Sequence, residues 1–248
     1  YHDYDSEISD LLGECGSMRL SPSLARIARG NLCAGCGACA GLSPGKITME
    51  MTPPGFLRPR QTALLTAEED DRIGRICPGL GQRVMAGGRT DHALWGPHVE
   101  MLTGWATDPD LRFGGASGGG LSALAAYLLD SGTVDAVVQV GADPQHPIAN
   151  RRTISTTVAG VAAMAGSRYA PSAPLEGLAE HLAEHRATGR RFAVIGKPCD
   201  AAALRALVQE DAEAAAAFPV ILSFFCAGVP SQAGGRAVLA ALGVTEAE

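Results

Sequence analysis

Arg112-Phe113-Gly114-Gly115-Ala116-Ser117-Gly118-Gly119-Gly120 is a glycine-rich loop that runs into Leu121, Leu124, Ala125, Leu128 and Leu129. The spacing i, i+3, i+4, i+7, i+8 predicts one apolar face of a helix. Ser131-Gly132 ends that helix, and Val134-Asp135-Ala136-Val137-Val138-Gln139-Val140 reads as a buried strand. The alternation then repeats. A helix is expected from about Ser172 to Thr188, carrying Leu175, Leu178 and Leu182 and stopping at Gly189. Phe192-Ala193-Val194-Ile195 is the next strand, followed by a helix over 200–210, a strand over 219–225 and a helix over 231–242 closed by Gly243. Strand alternating with helix implies an α/β layer on a mixed, largely parallel sheet.

Upstream of residue 101 the character differs. Residues 1–31 form a polar lead with one short helix, capped at Ser21-Pro22 and striped by Leu24, Ile27 and Ala28. Residues 32–100 are loop-rich, broken at Pro53-Pro54-Gly55, Pro78-Gly79 and Gly87-Gly88, so regular elements there should be short. Two units follow: an N-terminal segment over 1–100, and an α/β domain over 101–248.

Cys33-Ala34-Gly35-Cys36-Gly37-Ala38-Cys39 is C-x2-C-x2-C. Three thiolates this close can wrap one corner of a metal cluster, with small residues between them letting the backbone curl. A bacterial ferredoxin run would place Cys-Pro next, but here that position is Ser43-Pro44, and Cys77-Pro78 supplies the pair further on. Cys33, Cys36, Cys39 and Cys77 therefore read as ligands of one 4Fe-4S cluster, which makes 1–100 a ferredoxin-like iron-sulfur segment. Four thiolates also suit structural zinc, although such sites usually use paired C-x2-C knuckles. Buried free thiols are the third reading. Cys15 is isolated and reads as a bystander.

The chain has 248 residues, 46% of them hydrophobic and 19% charged, with a net charge of −6. This is a globular composition. The mild acidity argues against nucleic-acid partners, because no basic stripe tracks phosphates. No apolar run is long enough to span a membrane. Tyr1-His2-Asp3-Tyr4-Asp5 shows no basic region followed by an apolar one, so a cytoplasmic location is expected. The missing initiating Met and the helical pattern near Glu248 suggest the front part of a longer protein.

Three further features remain. The loop around Ser117, Gly118 and Gly119 opens a helix, so its N–H groups and the helix dipole suit a phosphate, although the pattern is not G-x-G-x-x-G. Cys199 and Cys226 each follow an apolar strand, where ligand crevices of α/β sheets form; small buried residues and ligands are equally good readings of them. His181 and His185 stand i, i+4, but Glu180 and Glu184 beside them suggest a solvated face, as do Asp3, Asp5, Glu7 and Glu68-Glu69-Asp70-Asp71 for their own segments.

Several of these pieces coincide in order: the broken ferredoxin run, Ala116-Ser117-Gly118-Gly119 before the leucine helix, Val134–Val138, Gly166-Ser167-Arg168-Tyr169-Ala170-Pro171-Ser172, Gly196-Lys197-Pro198-Cys199 and Phe225-Cys226-Ala227-Gly228-Val229-Pro230-Ser231. Their order and spacing resemble the beta subunit family of coenzyme F-420 hydrogenases and dehydrogenases. The resemblance implies an FAD-binding α/β domain with 4Fe-4S centres. It implies that Ser117, Gly118, Gly119, Ser167, Arg168 and Tyr169 sit against the flavin, and that Cys199 and Cys226 ligate a second cluster whose other two cysteines this chain lacks. Lys197 stands where the family often has Thr, and it would add positive charge beside a cluster or flavin. The implied activity is an oxidoreductase passing electrons between clusters and FAD, to or from a deazaflavin or a ferredoxin-coupled organic acceptor. Implied partners are a ferredoxin or a hydrogenase or dehydrogenase subunit, with assembly as an oligomer left open. The alternatives are a non-catalytic electron-transfer or docking subunit and a zinc-stapled binding module.

Overall fold

The computed structural model describes residues 19–244, apart from 83 and 85. Cys15, Asp3, Asp5 and Glu7 lie outside the described residues.

Helix α1 (Pro22–Arg29) starts as its sequence predicts. Ser21 accepts a hydrogen bond from the Leu24 N–H, Pro22 opens the first turn, and Leu24 and Ile27 are buried. A short helix α2 (Ala38–Leu42) follows the cysteine loop. Strands β1 (Ile47–Thr52) and β2 (Phe56–Gln61) then form an antiparallel hairpin, with Ile47 opposite Gln61 and Thr52 opposite Phe56.

Helix α3 (Ala67–Ile76) corrects one expectation. Of Glu68-Glu69-Asp70-Asp71, Glu68 and Asp71 are exposed as expected, but the run opens this helix and Asp70 is buried. Thr66 and Glu69 form a reciprocal capping box. Acidic side chains in a first turn meet the positive end of the helix dipole. Asp70 is buried and accepts from the Ser23 N–H (3.0 Å) and hydroxyl (3.1 Å), which fastens α3 to α1.

Beyond residue 100, α4 (Pro109–Gly114) and a 3-10 turn lead into α5 (Gly120–Asp130). Strand β3 (Ala136–Ala142) pairs antiparallel with β4 (Asn150–Ser155) and parallel with β5 (Phe192–Gly196). Strand β5 pairs parallel with β6 (Val220–Ser223), so the sheet order is β4-β3-β5-β6. The sheet is mixed and largely parallel, within an α/β fold. Helices α6 (Val158–Ala163), α7 (Leu178–Thr188), α8 (Pro198–Glu210), α9 (Ala212–Ala217) and α10 (Gln232–Leu242) complete the described α-helices.

Side chains alternate across a strand, and here both faces are covered. Val137 and Ala193 pack with Ala125, Val134 and Val161 on one side. Ala136, Val138, Phe192 and Val194 pack with Leu178, Leu182, Leu204, Leu207 and Phe218 on the other. Cys36, Ala38 and Ile76 belong to that second core, so the cysteine segment shares it with the α/β layer. A smaller core of Leu24, Ile27, Ala40, Ile47 and Ile73 lies under the cysteines. Arg75 pairs with Glu210 at 2.7 Å, and Arg72 pairs with Asp211, joining α3 to the end of α8.

The expected solvated face of α7 is also corrected at one position. His181 is only 2% exposed, and its ring lies 4.7 Å from that of Phe192. Helix α7 is covered on that side by β5 and α9. Its neighbour His185 is half-buried and bonds the Arg190 carbonyl oxygen through Nδ1.

Candidate functional site

The four cysteines of the N-terminal segment come together. Cys33 and Cys36 lie on the loop into α2, Cys39 stands in the first turn of α2, and Cys77 caps the end of α3. All four line one cavity whose remaining wall is apolar, from residues such as Ile27, Met49, Ile73 and Ile76. Gly37, at φ +83°, turns the loop where any Cβ would stand 2.8 Å from the Glu176 backbone nitrogen. The Leu175 N–H donates to the Cys36 carbonyl at 3.1 Å, so the loop is docked on the segment ahead of α7.

The six cysteines among the described residues are free thiols. Burial pushes the Cys39 thiol up to about 12, with the sulfurs of Cys33 and Cys77 adding to the rise. Burial likewise raises Cys36 well above the ordinary thiol range, with Cys39, Asp200 and Cys77 contributing. Cys77 is raised by burial and, to a smaller extent, by Cys33. Cys36, Cys39 and Cys77 are thus raised by burial in an apolar wall, with neighbouring sulfurs adding to the rise. Such a set holds thiolates only when a soft cation compensates them. Among the described residues, no group of three or more His, Cys, Asp or Glu side chains is gathered to hold a metal ion as it stands. The thiols are spread around a cavity, and an all-sulfur donor set of this kind fits an iron-sulfur cluster.

Cys199 and Cys226 emerge from the carboxyl ends of adjacent parallel strands. Gly196 and Ser223 are paired in the sheet, and each cysteine lies three residues beyond its member of that pair. Cys199 is half-buried at the start of α8, while Cys226 is exposed. Burial pushes the Cys199 thiol up to about 11, with Asp200 adding to the rise and Lys197 opposing it.

Lys197 corrects the expectation of an added positive charge. It is buried, and its ammonium donates to Asp200 Oδ2 (2.8 Å), Ser172 Oγ (2.9 Å) and the Ser172 carbonyl (3.3 Å). The charge therefore has a buried counter-ion. Asp200 is 1% exposed and also accepts the Lys197 backbone N–H at 2.8 Å, so it caps α8. Burial raises its carboxyl above the ordinary range, against the pull of Lys197.

The glycine loop has unusual geometry. Ser117 adopts the left-handed region at φ 51°, ψ 47°, followed by Gly118 and Gly119 at φ +71° and +69°. No side chain caps the start of α5. The Ala106 N–H donates to the Gly118 carbonyl at 2.8 Å, which brings Trp105 against the loop with the residue 66% exposed. The Ser167–Tyr169 segment is a neighbour: a Cβ on Gly166 would lie 3.7 Å from the Gly114 carbonyl. Ser167, Arg168 and Tyr169 are all exposed. Arg168 is held by Asn150 Oδ1 (2.7 Å) and the Pro147 carbonyl (2.8 Å). Lys197 is not part of this group. It lines a separate small cavity with Ala34, Gly35, Arg58 and Ser172.

Three residues are not singled out by the sequence. Asp200 carries a signal, since it stands at the third position of a helix opened by Pro198 and could cap it. Gly79 directly follows the Cys-Pro pair and also carries a hint. Trp105 carries none, because its role depends on a loop that folds back.

Residues 101–179 match the family model for the N-terminal part of the coenzyme F420 hydrogenase/dehydrogenase beta subunit, and residues 189–248 match the model for its C-terminal part. These two matches together span more than half of the chain. The chain belongs to the coenzyme F420 hydrogenase/dehydrogenase beta subunit family. Both matches begin after residue 100, so Cys33–Cys77 lies outside them. A chain of the xenon-derivatised F420-reducing [NiFe] hydrogenase complex from Methanosarcina barkeri is similar at 22% identity and a TM-score of 0.48, over 54% of this chain and 46% of that one. The chain thus matches less than half of that relative's length. No curated protein matches the chain. Among the described residues, no helix is long and apolar enough to cross a membrane.

Proposed function

We propose that the chain is an iron-sulfur flavoprotein subunit that relays electrons between a 4Fe-4S cluster and FAD. The observation that carries this reading is the gathering of Cys33, Cys36, Cys39 and Cys77 around one apolar cavity. The family supports the deazaflavin end of this relay, since its name attaches it to coenzyme F420 enzymes. A flavin exchanges two electrons as a hydride, whereas clusters pass them singly, so together they couple one-electron and two-electron partners.

In this reading the residues divide the work by segment. The segment over 1–100 holds the cluster, and Ile27, Ile73 and Ile76 keep water from it. The domain over 101–248 holds FAD. The Ser117-Gly118-Gly119 loop offers the uncapped N–H groups of α5 to phosphate, and the neighbouring Ser167, Arg168 and Tyr169 supply exposed polar and aromatic contacts. Cys199 and Cys226 stand at one sheet end as half of a second cluster site. Electrons pass to or from a deazaflavin coenzyme or a ferredoxin-coupled organic substrate, in a cytoplasmic complex with a ferredoxin or a hydrogenase or dehydrogenase subunit.

Anaerobic purification followed by absorption spectroscopy tests this. Broad brown absorption with flavin bands, both bleached by a one-electron donor, is the expected result. Brown colour without flavin uptake would leave an electron-transfer or docking subunit. A colourless protein containing zinc would overturn the redox reading.

A further inference from the structure

We propose that the buried Lys197–Asp200 pair is a charge-neutral partition between the Cys36 corner of the four-thiol cavity and Cys199, in which Lys197 cancels the effect that the Asp200 carboxylate alone would have on the reduction potential of the metal group held at Cys36. This rests on the cluster reading above.

The geometry places the pair between the two cysteine sets. Cys36 packs in the same core as Ala203 and Leu204 of α8, the helix that Asp200 caps. Lys197 lines a small cavity with Ala34 and Gly35 of the cysteine loop itself. On the other side, the Cys199 thiol faces Asp200 Oδ1 at 3.9 Å. All three Lys197 ammonium protons are used, two on Ser172 and one on Asp200. The ammonium is therefore fixed in place.

Adding an electron to a cluster adds negative charge. A lone buried carboxylate beside it opposes that step, and a lone ammonium favours it. The pair together does neither, because the two charges lie 2.8 Å apart in a dry setting. A buried pair broken on one side leaves an uncompensated charge, whereas removing both leaves none. Lys197 accordingly balances Asp200, and its isolated charge is not what the cluster experiences.

The test uses the anaerobically purified full chain as wild type, Lys197→Met, Asp200→Asn and the double variant. Iron and sulfide contents are measured, and the midpoint potential is followed by an EPR-monitored redox titration. The expected result is a negative shift for Lys197→Met, a positive shift for Asp200→Asn, and a return to the wild-type potential in the double variant. Should Lys197→Met lose its iron, the double variant decides: retained iron at the wild-type potential supports the proposal, and lost iron overturns it. Wild-type potentials in both single variants, or shifts of the same sign, overturn it while leaving the cluster reading intact. Absence of iron from the wild type defeats both readings together.

Discussion

Gly79 lies directly against the backbone of Leu32, so close that a Cβ on Gly79 would stand 2.2 Å from the Leu32 carbonyl oxygen. Leu32 precedes Cys33 and Gly79 follows Cys77 by two residues, so this contact brings the two ends of the four-cysteine set together across 44 positions of sequence. The turn after α3 reinforces it, with the Leu80 N–H donating to the Cys77 carbonyl at 3.1 Å.

Gly79→Ala should therefore separate Cys77 from Cys33. The neighbour is backbone, which cannot swing aside as a flexible side chain would. We expect a cost of about 1–3 kcal/mol, the usual range for overpacking, and less than half of the wild-type iron content. Thermal unfolding and iron analysis on the same preparation check both.

Cys226 is exposed and stands apart from the four-thiol cavity. Cys226→Ser should leave the iron bound at Cys33, Cys36, Cys39 and Cys77 in place, with unchanged thermal stability. Metal analysis of the variant beside Cys39→Ser, which should lose that iron, makes the comparison.

His181 gives a pH dependence with a definite sign. Burial, and then Arg152, hold its ring down at about 4 in the folded chain against an ordinary value of 6.5. Its Nε2 lies 3.4 Å from the Arg152 guanidinium, which can only donate, so the folded state needs the neutral ring. Below pH 6.5 the unfolded chain takes up a proton that the folded chain refuses. Stability is thus full above pH 6.5 and falls toward pH 4, by at most about 1.4 kcal/mol per pH unit. His181→Leu should flatten that part of the profile, as measured by denaturant unfolding at pH 7, 6, 5 and 4.

Ser117 occupies left-handed backbone space that a non-glycine residue enters at a cost of about 1–2 kcal/mol. Ser117→Gly should relieve that strain and raise the melting temperature slightly. If its hydroxyl contacts bound flavin, the same substitution weakens FAD binding several-fold. Calorimetric titration with FAD beside thermal unfolding separates the two effects.

The α/β layer is legible in the sequence because its elements obey simple periods. The leucine spacing of α5 and the apolar run of β3 predict both elements within two residues. Strand β4 is not legible: Asn150-Arg151-Arg152-Thr153-Ile154-Ser155 is an edge strand with a solvent-facing side, so its sequence is mostly polar. The hairpin β1–β2 is hidden by Pro59, which an edge strand tolerates. Asp70 reads as open surface with the rest of its acidic run because its burial depends on Ser23, 47 positions away. That Cys33, Cys36, Cys39 and Cys77 line one cavity accords with the C-x2-C-x2-C spacing and the later Cys77-Pro78 pair. The buried partner of Lys197 is not legible in the sequence, since only the fold shows that Asp200 and Ser172 close around its ammonium.

The most direct measurement is the iron and labile sulfide content of the anaerobically purified chain, taken beside Cys77→Ser. Wild type should carry about four irons and four sulfides for a cluster on four thiolates, and Cys77→Ser should lose them. Zinc without sulfide in the wild type, or iron unchanged in Cys77→Ser, would contradict the assignment.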